Sequence, residues 1–188
     1  MMKIFINPGH DIDLDPGACS NGLREVDVAL SIGKHLKNIM EGIGYPCLLL
    51  QSDNLNGETA GKPNVCKTAN ESDADIFISI HCNAATNTSA KGTETWVYKK
   101  GIEAENLAKC INSQIVKSLN TQDRGIKSML EQNRRLAVLI RTNMPAVLIE
   151  TAFISNEEDA FKLANRQYAF AAAIARGITD YEQLLLNK

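Results

Sequence analysis

No two cysteines in this 188-residue chain stand as CxxC, and the five present (Cys19, Cys47, Cys66, Cys82, Cys110) are scattered and odd in number. That pattern excludes a disulfide framework and a cysteine-held structural zinc, so the five read as reduced thiols. There is no Lys/Arg cluster and the net charge is -2, which gives no bias towards nucleic acid. No apolar window could span a bilayer, and "MMKIFINPGH" lacks the apolar stretch of a secretory signal. Internal repeats, low-complexity runs and linkers are also missing. The expectation is one globular domain over residues 1–188, with 44% hydrophobic residues to fill its core.

What is present alternates short β-rich apolar runs with longer helical ones, the pattern of an α/β layer fold. Strands are expected at 3–10, 45–51, 75–81, 92–99 and 146–154, and helices at 24–40, 65–74, 103–119 and 166–186. In the first helix Ala29, Ile32, Leu36, Ile39 and Ile43 make an apolar face, with Asp27, Ser31, Lys34, Asn38 and Glu41 opposite. "SNEE" at 155–158 matches a capping box, with Ser155 accepting at the helix start and Glu158 reaching back. Continuous apolar strands joined by helices predict a twisted, mostly parallel sheet with helices on both faces. In open α/β sheets the ligand site lies beyond the carboxyl ends of the strands.

Residues at those ends carry the chemistry. Glu150 stands inside "AVLIETAFI", the most apolar run of the chain. Two of the three histidines, His10 and His81, end expected strands, whereas His35 falls on the polar side of the first helix and reads as surface. Glu25 opens that helix four residues before Ala29, at the head of the apolar stripe facing the sheet. Each residue alone has a structural reading: a turn histidine, a satisfied core histidine, a glutamate favoured by the helix dipole. Together they need an explanation, because an unpaired buried carboxylate costs several kcal/mol. A divalent cation supplies one. Two imidazoles and a carboxylate suit Zn²⁺ better than Mg²⁺ or Ca²⁺, and three protein ligands leave a position open for water. Glu25 is then the better ligand, with His10 and His81, and Glu150 the better general base. The spacing forms no compact HExxH-type motif, and by itself it names no substrate.

The segments "NPGH", "GLREVDVAL", "TANESDADIFISIHCNA", "GTETWVY", "DRGIK" and "PAVLIETAFISNEED" resemble, in order, the blocks of the zinc-dependent N-acetylmuramoyl-L-alanine amidases, the cell-wall hydrolases of amidase type 3. The resemblance covers nearly the whole chain. It implies one zinc ion on His10, Glu25 and His81, a catalytic Glu150, and cleavage of the amide between N-acetylmuramic acid and L-alanine in peptidoglycan. "QSD" stands where the family usually has "TR", and Val65 where many members have arginine. Asn83 and Glu94 are candidates for lining the substrate groove. The long helical insertion of partner-activated members is absent after "TETWVY", so an open site and no activator partner are expected; a monomer is expected as well. The setting expected is the bacterial cell wall, reached as a phage-type lysin or as a catalytic fragment. Two other readings are a carboxypeptidase-like zinc hydrolase and a non-catalytic wall-binding module. The first should carry a His-x-x-Glu pair, but "DID" follows His10; the second usually has four protein ligands.

Overall fold

The computed structural model describes residues 1–187; residue 188, the last of the expected domain, lies outside the described residues. In chain order the elements are β1 (Ile4–Pro8), β2 (Cys19–Ser20), β3 (Leu23–Arg24), α1 (Glu25–Gly42), β4 (Cys47–Leu49), α2 (Val65–Asn70) and β5 (Ile76–Asn83). There follow β6 (Thr93–Val97), α3 (Glu103–Leu119), β7 (Asp123–Ser128), α4 (Ala137–Arg141), β8 (Ala146–Phe153), α5 (Glu157–Asn165) and α6 (Gln167–Leu186). The main sheet has six strands in the order β4-β1-β5-β8-β6-β7. The first four run parallel, β6 pairs antiparallel with β8, and β7 lies parallel to β6. The expected α/β architecture with a mostly parallel sheet is therefore the observed one.

Period-two alternation divides the strands between two unequal layers. Ile4, Ile6, Ile76, Ile78, Ile80, Val147 and Ile149 pack with the long helices α1, α3 and α6. The alternate residues Phe5, Phe77, Trp96 and Leu148 face the other way, under the short helices α2 and α4 and loop residues such as Leu50 and Leu55. Phe5 and Phe77 stack there at 5.4 Å between centroids. Following the same alternation, His81 shares the thin face with Phe77, and Glu150 shares it with Leu148. A parallel sheet is stable only with both faces covered, so the short covering elements close the thin face where the strands are apolar. At the carboxyl ends of β1, β5 and β8 they leave a groove.

Several local expectations shift. Strand β1 ends at Pro8 and not at His10, although the Gly9 amide still donates to the Ile80 carbonyl at 2.8 Å. β5 continues past His81 to Asn83, through a register shift against β8. Residues 123–128, read as loop, form β7, whose half-exposed residues carry no apolar alternation. The hairpin of β2 and β3 is too short to leave a periodic signal. The cap of α5 is Asn156, which accepts from the Asp159 amide, while Ser155 accepts from Ala85 and Glu158 pairs with Lys91 and Lys162. His35 is not plain surface: it is half-buried, edge-on to Tyr168 of α6 at 5.6 Å. Cys82, Cys47 and Cys66 are buried free thiols, as expected. Among the described residues no helix is long and apolar enough to cross a membrane.

The packing of α6 on α3 depends on Gly177, where an added Cβ would lie 2.5 Å from the Ile111 Cα and 2.8 Å from its backbone nitrogen. Helix propensity alone favours alanine there by about 1 kcal/mol, but overpacking against backbone costs roughly 1–3 kcal/mol. The clash is expected to win. Gly177→Ala should lower the melting temperature by about 2–6 °C, whereas Gly42→Ala, with nothing within 4 Å, should leave it unchanged or raise it. Thermal denaturation followed by circular dichroism measures both.

Candidate metal and active site

Three elements deliver the site. Residues Pro8 and Gly9 carry β1 into His10, which adopts a left-handed backbone conformation with φ of 68°. Such a conformation is uncommon for residues other than glycine, and here it turns the imidazole back over the sheet end. β5 supplies His81, and the start of α1 supplies Glu25, which is 4% exposed. Glu25 Oε1 lies 3.1 Å from His10 Nε2 and 2.9 Å from His81 Nδ1, and it also accepts from the Cys82 amide at 2.9 Å. Oε2 accepts from the Ala18 amide at 2.9 Å. One donor atom from each of His10, Glu25 and His81 falls within 4.8 Å of the others. The two rings meet edge to face at 5.0 Å.

The backbone around these groups is fitted to them. A Cβ at Gly9 would sit 2.2 Å from the His81 ring, and one at Gly17 would sit 2.6 Å from the His10 ring and 2.7 Å from Glu25 Oε2. Neither position tolerates a side chain without displacing a donor. Asp15, which the sequence reading did not single out, lies 2.7 Å from His10 Nδ1 through its Oδ2. A carboxylate there holds the Nδ1 proton and leaves Nε2 directed at Glu25, the way outer carboxylates orient metal-binding histidines. The signal for it was a third acid in "DIDLDPG", next to a Pro-Gly turn. Convergence of an N₂O donor set, an orienting carboxylate and glycines that keep the space free fits a zinc ion.

Electrostatics separates the acids. Burial opposes ionisation of Glu25, but hydrogen bonds and charge from His10 and His81 outweigh it and hold its carboxyl well below the usual range. Burial also opposes the charge on His10, yet Glu25 and Asp15 together raise that imidazole to about 9. The metal-free site thus keeps a proton that a cation would displace. Glu150 sits beside His81 in register across β5 and β8, and beside Glu94 across β8 and β6. It is 6% exposed, and its Oε2 has no hydrogen-bond partner. Burial pushes it up to about 7; His81 and Arg134 pull it down, while Glu25 and Glu94 push it up.

Glu94 is equally buried but fully engaged. It accepts from Arg124 Nε at 2.8 Å, Trp96 Nε1 at 3.1 Å and Asn83 Nδ2 at 3.2 Å. Arg124 was missed because β7 has no apolar pattern to place it. Asn83 lines a groove of about 320 Å³ with His10, Glu25, His81, Arg134 and Glu150. Beyond the histidines a second lobe of about 280 Å³ runs past Asp15, Ser52, Asp53 and Arg135.

Comparison with known proteins turns this geometry into a family assignment. The N-acetylmuramoyl-L-alanine amidase family matches residues 4–180. The chain belongs to that family. It is 38% identical over 175 residues to the amidase LytC of Bacillus subtilis, covering 92% of this chain and 33% of LytC. The chain therefore spans about a third of that relative. Among solved structures, an amidase from Clostridium difficile 630 superposes with a TM-score of 0.80 at 31% identity, over 97% of both chains. The amidase AmiC2 of Nostoc punctiforme does so at 0.82 and 33%, again over 97% of both. In this amidase-family domain the connection from β6 to α3 is residues 98–102, with no helix between them.

Glu150 yields a prediction about stability in the metal-free domain. Its folded pKa of about 7 lies above the unfolded value near 4.3. The favourable contribution of the protonated side chain is therefore complete below pH ~4.3 and lost as pH rises through about 7. Glu150→Gln removes that loss. Metal-free Glu150→Gln should match the parent below about pH 4.3 and exceed it by roughly 3–4 kcal/mol at pH 8. Urea unfolding at the two pH values, in the presence of chelator, measures the difference.

Proposed function

We propose that this domain hydrolyses the amide joining N-acetylmuramic acid to L-alanine of the stem peptide in bacterial peptidoglycan. One zinc ion is held by His10, Glu25 and His81, and Glu150 serves as general base and then general acid. The observation that carries the reading is the Glu150 carboxyl, buried with an unpartnered oxygen beside that donor set. Burial pushes that carboxyl above the ordinary carboxylate range, the direction that suits a group taking and returning a proton near neutral pH. Family membership supports the substrate bond.

Zinc bound at these residues supplies Lewis acidity, which acidifies water and polarises a carbonyl. The protein does the rest. Asp15 holds the His10 ring in one tautomer, and Gly9 and Gly17 leave both rings undisplaced. Glu150 in its ionised form takes a proton from the attacking water at its unpartnered Oε2. It then delivers that proton to the alanine nitrogen as the C–N bond breaks, so the carboxylate is regenerated and no covalent enzyme intermediate forms. Asn83 borders the groove where substrate would lie, and Glu94 acts on it by accepting from its amide. None of the cysteines takes part. The site of action is the cell wall.

The test is mass spectrometry of the soluble products from purified peptidoglycan. Stem peptides beginning at L-alanine should be released, lost on chelation and restored by Zn²⁺. Glu150→Gln should keep its zinc and lose at least a hundredfold in turnover, the scale of a general base. Zinc lost together with activity in that variant would make Glu150 a ligand and reverse the roles; products cut elsewhere would overturn the substrate bond.

A further inference from the structure

Arg134 is a cation at the groove. Arg124, the other arginine near the sheet end, is committed to Glu94 at 2.8 Å and lies over the Phe153 ring at 4.8 Å. Arg134 forms no ion pair among the described residues. It is exposed, and its guanidinium lies 4.8 Å from the centroid of the Trp96 ring. Its backbone is also fixed: the Arg134 amide donates to the Met129 carbonyl at 3.0 Å, and Asn133 donates to Leu130 at 3.2 Å. Stacking of this kind holds a guanidinium by its face and leaves its N–H fork free in the plane. Arg134 lines the same lobe as Glu150, Asn83 and the two histidines, and its charge reaches Glu150.

A held, unpaired guanidinium matches a carboxylate in geometry and charge, through two parallel N–H···O bonds. With Glu150 at the bond to be cut, the arginine lines the same groove as that bond, and an extended residue spans only about 3.3–3.6 Å. We propose that Arg134 is a specificity residue that binds a carboxylate of the stem peptide, within about two residues of the scissile amide. This rests on the amidase reading above. The second residue of the stem provides such a group when its α-carboxyl is free, and not when that carboxyl is amidated.

The experiment compares zinc-loaded protein on two soluble muramoyl tetrapeptides, identical except that the second residue carries a free α-carboxylate in one and a carboxamide in the other. The parent protein should favour the acid by roughly tenfold or more in kcat/KM, mostly through KM. In Arg134→Ala that ratio should collapse towards one, and Arg134→Lys, which keeps the charge but not the fork, should restore part of it. Equal rates on both substrates by the parent would overturn the proposal and leave the amidase reading standing. A preference that persists in Arg134→Ala, or a loss that falls equally on both substrates, would also overturn it. Cleavage of neither substrate by the parent would overturn the amidase reading, and the proposal with it.

Discussion

One oxygen atom organises this end of the molecule. Glu25 Oε1 is approached by His10 Nε2, His81 Nδ1 and the Cys82 amide, all within 3.1 Å. Those contacts tie the start of α1 to the loop after β1 and to the end of β5, adding to the backbone bonds that already join β1 to β5. A carboxylate that is 4% exposed is tolerable only with such compensation, because desolvation of an unpaired charge costs more than most single contacts return. The cluster is therefore both a structural tie and a donor set. A cation entering it would displace the proton that Glu25 and Asp15 favour on His10 and would take over the neutralisation of Glu25.

The contrast among the three buried glutamates follows from what each is given. Glu25 receives two imidazoles, Glu94 receives an arginine, an indole and an amide, and Glu150 receives no hydrogen bond at Oε2. Register fixes the sequence of these environments: His81, Glu150 and Glu94 lie side by side across β5, β8 and β6. The antiparallel entry of β6 is what allows it. Running against its neighbour, β6 brings its amino end, and with it Glu94, to the edge where the parallel strands end. The fold thus leaves one Glu150 oxygen without a partner and ties the adjacent Glu94 carboxyl to three donors.

Much of this was legible in the sequence because burial imposes patterns. A glutamate in the fully buried run Ala146–Phe153 marks itself, and so do histidines at or just beyond the ends of apolar strands. The α/β architecture followed from the same continuous runs. Groups that act from half-exposed segments left no such trace. Asp15 and Arg134 lie in irregular chain, and Arg124 lies in β7, where the residues alternate in no useful way. The α5 cap was misplaced by one residue because Ser155 and Asn156 are both good caps, and only the tertiary contact of Ser155 with Ala85 decides between them. His35 reads as polar surface until α6 folds over it.

The central claim is that His10, Glu25 and His81 together form one divalent-metal site. Isothermal titration of Zn²⁺ into chelator-stripped protein tests it most directly. The account expects one ion per chain, with a binding heat that varies with the ionisation enthalpy of the buffer because the His10 proton is released. It also expects at least a tenfold weaker association in His81→Ala and Glu25→Gln, each lacking one donor. Binding of the same strength and stoichiometry in both variants, or no binding by the parent chain, would contradict it.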